Sequence, residues 1–408
     1  MDLARPDRHG CDPARLARID ALLDERYIAA GRFKGCQFLL ARDGEPVHLA
    51  TLGSAGESGA PLAEDALFRI ASMTKPVTSI AFMTLVEEGH VALDDPVHRV
   101  LPELKGVGVY AGGGAGVPFV TRPTDQPMRM VDLLRHTAGF TYGFQNRGNI
   151  DAAHRERKLE AWHGNHDLDG FVAALAELPL EFSPGAAWNY SIATDVLGAV
   201  VQRVAGEPLD EVFHQRIFGP LGMDDTFFHV PADKLGRLGD AYAFTAGDPL
   251  KLVDRAGAQS AWSRRPMLLS GGGGLVSSTA DYHRFCRMLL GNGADKDTRI
   301  VSRKTIDLMT RNHLPGGADL TQLSRSLFSE AALAGTGFGL GFAVTMDVAK
   351  GMVPGSAGEY YWGGMYSTAF FVDPVERIHM VFMTQLMPSS TYPVRRELKT
   401  LIYSALAD

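Results

Sequence analysis

Cysteine is scarce in this chain, and its three copies are not spaced for chemistry. Cys11, Cys36 and Cys286 lie far apart with no C-x-x-C pair, which argues against a disulfide framework or a zinc site. The odd count suits a reducing compartment. Long apolar runs are also missing. No stretch reaches the roughly 20 residues of a membrane helix, and residues 1–8 lack the apolar core of a signal peptide. A soluble, cytoplasmic protein with no membrane partner is therefore expected. Basic runs are absent as well, and 40 Lys and Arg against 47 Asp and Glu leave a formal charge of −7, so nucleic acid is not an expected partner. The only histidine cluster, His163-Gly164-Asn165-His166-Asp167, has no third or fourth ligand nearby; no metal and no cofactor is expected. Gly112, Gly113, Gly114 and Gly116 crowd the stretch 109–117, but the G-K-[ST] ending of a phosphate loop is missing. A surface loop is the reading there.

What is present is ordinary for a folded domain: 408 residues, 45% hydrophobic and 21% charged, enough for a substantial core. The informative stretch is Ile70-Ala71-Ser72-Met73-Thr74-Lys75-Pro76. A serine stands three residues before a lysine, and Val77, Ile80, Ala81, Met83, Thr84 and Leu85 follow at helical spacing. Residues three apart share a helix face, so the Ser72 hydroxyl and Lys75 amine can meet. Pro76 has no N–H and is best tolerated in a first helical turn, which places Ser72 at or just before the helix start. Unpaired backbone N–H groups there favour developing negative charge. A serine becomes nucleophilic when a neighbouring base takes its proton, and burial lowers a lysine pKa toward that use. The competing reading of the same four residues is a helix N-cap beside a solvated lysine.

The remaining pattern is α+β. Asp12-Pro13 is an N-cap with proline at the first helical position, followed by the stripe Leu16, Ile19, Leu23 and Tyr27. The stretches 36–41 and 46–52 read as a hairpin around Asp43-Gly44. Residues 130–139 form a short helix closed by glycine; His136 is a candidate base by type, but the reading preferred is that it orders the following loop through backbone, with Tyr142 in that loop as a pocket residue. Two helices are expected from Val196 and from Leu209. The glycine run 271–274 reads as close backbone packing. Residues 338–344, 368–372 and 378–383 read as successive strands of an antiparallel sheet, and Leu398, Leu401, Ile402 and Ala405 mark a last amphipathic helix. Terminal helices thus flank one antiparallel sheet, and a mostly helical region is inserted. A single domain is expected, with a sheet subdomain at about 1–70 and 335–408 and a helical subdomain at about 71–334.

Three segments now belong together: Ser72-Met73-Thr74-Lys75, Trp188-Asn189-Tyr190-Ser191 and Tyr361-Trp362-Gly363-Gly364-Met365. In this order they resemble the serine β-lactamase-like superfamily, its class C branch, and most of all the family VIII carboxylesterases. Leu133–Gly139, Pro220–Met223 and the 271–282 region extend the likeness over almost the whole chain. The resemblance implies a β-lactamase/transpeptidase-like fold and assigns roles by position. Ser72 attacks the acyl carbonyl. Lys75 and Tyr190 share its proton; which is the base stays open, because a phenol with a free pKa near 10 acts as a phenolate only beside a cation such as Lys75. The oxyanion sits between the backbone N–H groups of Ser72 and Met365. Trp362 walls the pocket, and Gly363 and Gly364 let an edge strand approach the substrate.

Two departures bear on activity. The tyrosine motif of lactamases and peptidases ends in asparagine, where this chain has Ile192, and their third motif carries a cation and a hydroxyl, where it has Trp362-Gly363-Gly364. A β-lactam carboxylate or peptide C-terminus loses a charge-assisted contact; an uncharged ester loses nothing. No G-x-S-x-G occurs, which excludes the strand–turn–helix elbow of other esterases. The expected function is a serine carboxylesterase acting on short- to medium-chain uncharged esters through a Ser72 acyl-enzyme. An acyltransferase on the same machinery, a weak β-lactamase or amide hydrolase, and a non-catalytic binding protein are the alternatives. Phe140, Tyr142, Phe144, Trp262, Met267 and Phe338 are the candidates for lining the pocket, with core positions the equal alternative for each.

Overall fold

The computed structural model describes residues 1–160 and 166–407; His163, Gly164 and Asn165 of the histidine cluster lie outside them. Seven strands form one antiparallel sheet: β1 (Gly35–Arg42), β2 (Glu45–Gly53), β3 (Thr336–Phe338), β4 (Ala343–Thr345), β5 (Tyr360–Gly363), β6 (Ala369–Asp373) and β7 (Ile378–Thr384). Their order is β3-β4-β5-β6-β7-β1-β2. The first hairpin of the chain thus joins the last strand, in register from Cys36 opposite Thr384 to Arg42 opposite Ile378.

Alternation along these strands separates two cores. Phe38, Leu40, Met380 and Phe382 face the terminal helices, α1 (Pro13–Ala21) and the C-terminal helix Val394–Ala405, which contribute Leu16, Ile19, Leu398 and Ile402. Leu39, Ala41, Val381 and Met383 face the inserted helical region. There lie α2 (Thr74–Glu87), α3 (Ala193–Ala205) and α4 (Thr279–Leu290); the C-terminal helix is α5. The helix α2 is buried along almost its whole length, from Thr74 to Leu85. Its apolar residues therefore line every side rather than one stripe, as a central helix requires. Among the described residues no helix is long and apolar enough to cross a membrane.

Three sequence expectations change. The stretch 109–117 is not an open loop: Val109–Gly114 and Val117–Arg122 pair as a hairpin. Gly113, Gly114 and Gly116 take positive φ, so the glycines serve the turn and its bulges. Residues 338–344 are two strands rather than one, because Gly341 at φ +98° reverses the chain against Ser79. The strand β5 is internal, between β4 and β6, not an edge.

One buried pair has a consequence for stability. His283 on α4 and His379 on β7 stack with ring centroids 4.9 Å apart, Nδ1 of the first 2.8 Å from Nε2 of the second. Burial pushes His283 down to about 4 and His379 well below its ordinary value, and Arg287 pushes both the same way. The folded state therefore holds both rings neutral while the unfolded chain protonates them near 6.5. Their contribution to stability is complete above about pH 6.5 and is lost as pH falls toward about 4. Urea midpoints between pH 7.5 and 4.5 should fall accordingly, and a His283→Asn, His379→Gln protein should show a flatter decline.

Candidate active site

Ser72 sits in a single helical turn, Ala71–Met73, that leads directly into α2. Pro76 falls in the first turn of α2, as its missing N–H requires. Ala71 just before the serine is left-handed at φ +45°, a strained value for a side chain with a Cβ. The strain is held in place by neighbours: Ile70 N–H donates to Leu275 carbonyl at 3.0 Å, and Met73 N–H to Ile70 carbonyl at 3.1 Å.

The three side chains singled out by the motifs converge. Tyr190 donates its hydroxyl proton to Ser72 Oγ at 2.5 Å, and Lys75 Nζ donates to the same oxygen at 3.2 Å. Lys75 makes two further bonds, to Tyr142 hydroxyl at 3.0 Å and to Gly272 carbonyl at 2.6 Å. Its three N–H donors are thereby matched by three acceptors. The Tyr190 ring packs among His136, Tyr142 and Trp362, with centroids 5.3–5.4 Å away.

Burial sets the electrostatics. Lys75 is 1% exposed. Burial pulls its pKa down to about 8, while the carboxylates of Asp195 and Glu330 pull the other way. The Tyr190 phenol moves well above 10, mainly through burial and then through Glu330. Tyr142 is raised the same way, by burial first and Asp195 next. Burial thus acts oppositely on the two groups: it favours loss of the Lys75 proton and retention of the Tyr190 proton.

A cavity of about 650 Å³ opens on Ser72. Tyr142, Phe144, Phe328, Met365 and Pro388 supply its apolar wall; Asp195, Glu160, Glu330 and Arg155 supply charge. Of the candidate lining residues, Tyr142 and Phe144 belong to it. Phe338 packs behind, against Trp188 and Trp362, and Phe140 lies in the same core. Trp262 is in a separate small cluster with Val230 and Leu238, and Met267 is exposed elsewhere. The positions of Trp362, Gly363 and Gly364 also need correction. Trp362 is 1% exposed and touches Tyr190 rather than walling the cavity. A Cβ on Gly363 would meet the Arg395 guanidinium at 2.4 Å, and one on Gly364 the Ile70 carbonyl oxygen at 2.3 Å. Both glycines make room for atoms of the protein itself. Met365 does line the cavity beside Ser72.

The sequence reading missed how the glycine run contributes. Its packing role is real, since a Cβ on Gly271 would press on Thr194 carbonyl oxygen at 2.8 Å. The same run also presents Gly272 carbonyl to Lys75. Asp195, in the first turn of α3, fixes that carbonyl: it accepts from Gly272 N–H at 3.1 Å and from the Ser270 hydroxyl. The available signal was an aspartate five residues after Tyr190, in a mostly apolar helix that is buried from Ala193 to Val201. His136 bonds with a side chain rather than backbone through its ring, Nδ1 lying 3.3 Å from Ser191 Oγ, although its carbonyl does accept Asn189 N–H at 3.0 Å. Burial drives the imidazole well below 6.5 and keeps it neutral. Among the described residues no group of three or more His, Cys, Asp or Glu could hold a metal ion.

An antiparallel sheet, terminal helices on one face, and a buried serine–lysine helix on the other define a β-lactamase/transpeptidase-like fold. The Beta-lactamase family model matches residues 19–404, and the chain belongs to that family. Esterase EstB of Burkholderia gladioli is 32% identical over 399 residues, covering 93% of each chain. Protein Rv1367c of Mycobacterium tuberculosis is 39% identical over 335 residues, 81% of this chain and 80% of that one. The solved structure of EstCE1, a hydrolase with promiscuous acyltransferase activity, superposes with a TM-score of 0.80 at 27% identity, covering 96% of this chain and 99% of the other.

Gly272→Ala tests the bond between the glycine run and the lysine. The new Cβ would stand 2.3 Å from Asp195 Oδ2, and this carboxylate is held through its other oxygen, Oδ1, by Gly272 N–H and the Ser270 hydroxyl. Unfolding should become easier by about 1–3 kcal/mol, as for other overpacked core sites, measured by chemical denaturation against wild type.

Proposed function

We propose that this protein is a serine carboxylesterase that hydrolyses short- to medium-chain uncharged esters through an acyl-enzyme on Ser72. One observation carries the reading: the Ser72 hydroxyl lies within bonding distance of both the Lys75 amine and the Tyr190 phenol, at the foot of a largely apolar cavity. The relatives support the coarser class, a serine hydrolase or acyltransferase, since they include an esterase and a hydrolase with acyltransferase activity.

The chemistry follows from the pKa order. Neutral Lys75 accepts the Ser72 proton as Oγ bonds to the acyl carbon. The carbonyl electron pair moves to oxygen, which the Ser72 and Met365 N–H groups stabilise. Collapse of the tetrahedral intermediate expels the alcohol oxygen, which takes a proton from the Lys75–Tyr190 pair. Water then attacks the acyl-enzyme by the same route and releases the acid. Tyr190 serves best as a proton carrier between Oγ and the leaving group, because its own phenolate is disfavoured by burial.

Charge favours an uncharged substrate. Asp195, Glu160 and Glu330 line the cavity with Arg155, and neither the cation nor the hydroxyl of the usual third motif is present at 362–364. A substrate carboxylate would meet three acidic side chains against the one guanidinium of Arg155, and no partner at 362–364. The second reading, acyl transfer to an alcohol or amine in place of water, is favoured by the relatives: Acyltransferase calJ of Penicillium decumbens is 28% identical over 347 residues. Adding such an acceptor to the ester assay and measuring transfer product against free acid separates the two.

Ser72→Ala should lower kcat/KM for p-nitrophenyl esters about 10⁴-fold or more and abolish labelling by a fluorophosphonate. An ester chain-length panel run beside nitrocefin should show turnover of the esters and little or none of the lactam. Full ester hydrolysis by Ser72→Ala would overturn the assignment.

The pH dependence has a defined sign. Lys75 must be neutral to accept a proton, and its pKa is about 8. The value of kcat/KM should therefore rise about tenfold per pH unit below that point and level off above it. A flat profile from pH 6 to 9 would remove Lys75 from the role of base.

A further inference from the structure

We propose that Arg395 is the positioning residue of the oxyanion hole, holding from beneath the turn that carries the Met365 N–H. The inference rests on the esterase reading above. Strand β5 runs into Gly364-Met365-Tyr366-Ser367-Thr368 and returns as β6. The alternation that sends Tyr360 and Trp362 into the helical core turns Gly363 toward α5. There the Arg395 guanidinium occupies the space of the missing side chain.

Its Nη2 donates to Gly364 carbonyl at 2.9 Å and to Thr368 carbonyl at 2.7 Å. These two residues also close the turn themselves, Gly364 N–H donating to Thr368 carbonyl at 2.9 Å. One nitrogen thus bridges the entry and exit of the turn. The other, Nη1, pairs with Glu330 Oε2 at 2.6 Å. The Glu330 side chain is 1% exposed, accepts Ser389 hydroxyl at 3.0 and 3.1 Å, and lines the catalytic cavity beside Met365. The anchor of Arg395 is therefore buried and fixed.

From above, the turn is tied to the nucleophile. Gly364 packs on the Ile70 carbonyl, and Thr368 Oγ1 donates to the same oxygen at 3.3 Å; Ile70 stands two residues before Ser72. Ser367 takes φ +68° and donates its hydroxyl to Leu386 carbonyl at 2.6 Å, so the turn is strained as well as pinned. The hole needs two N–H groups at a fixed separation, one on each side of the Ile70 contact. Arg395 supplies the force from the opposite face. The chain thus has a cation at its third motif after all, but beneath the strand, with its donors directed at backbone carbonyls. A planar fork is needed to reach two carbonyls and a carboxylate together, which a lysine ammonium does not match.

The test compares Arg395→Lys with wild type on a matched pair of substrates, an ester and its thionoester, with rates expressed per active site titrated by a fluorophosphonate. A C=S sulfur accepts hydrogen bonds weakly, so the preference for C=O over C=S reports the hole itself. In Arg395→Lys the ester kcat per titrated site should fall about 10- to 100-fold with KM within about twofold. The thionoester rate should fall much less, shrinking the preference in step. If the variant labels fully and keeps the wild-type preference, or if both substrates slow equally, Arg395 is only structural and the inference fails. Should Arg395→Lys not fold, Glu330→Gln removes the anchoring charge while leaving the guanidinium, and the same ratio should shrink about fivefold; an unchanged ratio overturns the proposal. A wild-type protein that neither labels nor hydrolyses the ester would instead overturn the esterase reading.

Discussion

The Lys75 amine is sealed from bulk solvent and has three N–H bonds to satisfy. Ser72 Oγ, Tyr142 hydroxyl and Gly272 carbonyl take one each. A buried amine without such partners would cost several kcal/mol; with them it persists at a reduced pKa, ready to exchange a proton. Each partner comes from a different part of the chain. The serine is one turn away on the same helix, the phenol sits on the loop after the short helix 130–134, and the carbonyl belongs to a glycine run more than 190 residues later. Bringing them together requires the helical region to close around α2, and that accounts for burial of α2 on all sides.

The sheet contributes by a different route. Its two faces are covered by unlike material, terminal helices on one and the helical region on the other, and β5 sits between them. Whatever β5 presents to the site is therefore shaped from both sides: Tyr190 and Ile70 on one, Arg395 on the other. Ala71 and Ser367, left-handed without being glycine, lie on either side of the contact between the serine turn and the β5–β6 turn. Such backbone is kept only where surrounding bonds over-determine it, and here those bonds are the ones from Ile70, Leu386 and Arg395.

How much of this was legible in the sequence depended on range. Ser72 and Lys75 were legible because helical spacing alone puts them on one face. Tyr190 and Met365 came from motif order, and apolar runs bounded by turn residues located β1, β2, β6 and β7. Where glycine dominated, the reading lost resolution. A glycine has no side chain to carry a pattern, so the 109–122 hairpin, the reversal at Gly341 and the contact of Gly272 with Lys75 were all hidden. Gly363 was read as making room for a substrate, whereas it makes room for Arg395. Glu330 and Arg395 gave no signal, being polar residues in a loop and on an amphipathic helix, where such residues are ordinarily solvated.

The sequence by itself determined the local geometry: a hydroxyl one helical turn from an amine, a proline that starts the helix there, and short apolar strands bounded by turns. Those follow from backbone periodicity, which acts over a few residues. Tertiary structure alone decided how far the Lys75 pKa moves, because a pKa depends on burial and on the carboxylates of Asp195 and Glu330 brought close by folding. It also decided what shapes the edge of the cavity, because the Arg395 fork reaches Gly364 and Thr368 only once the last helix has docked on the sheet.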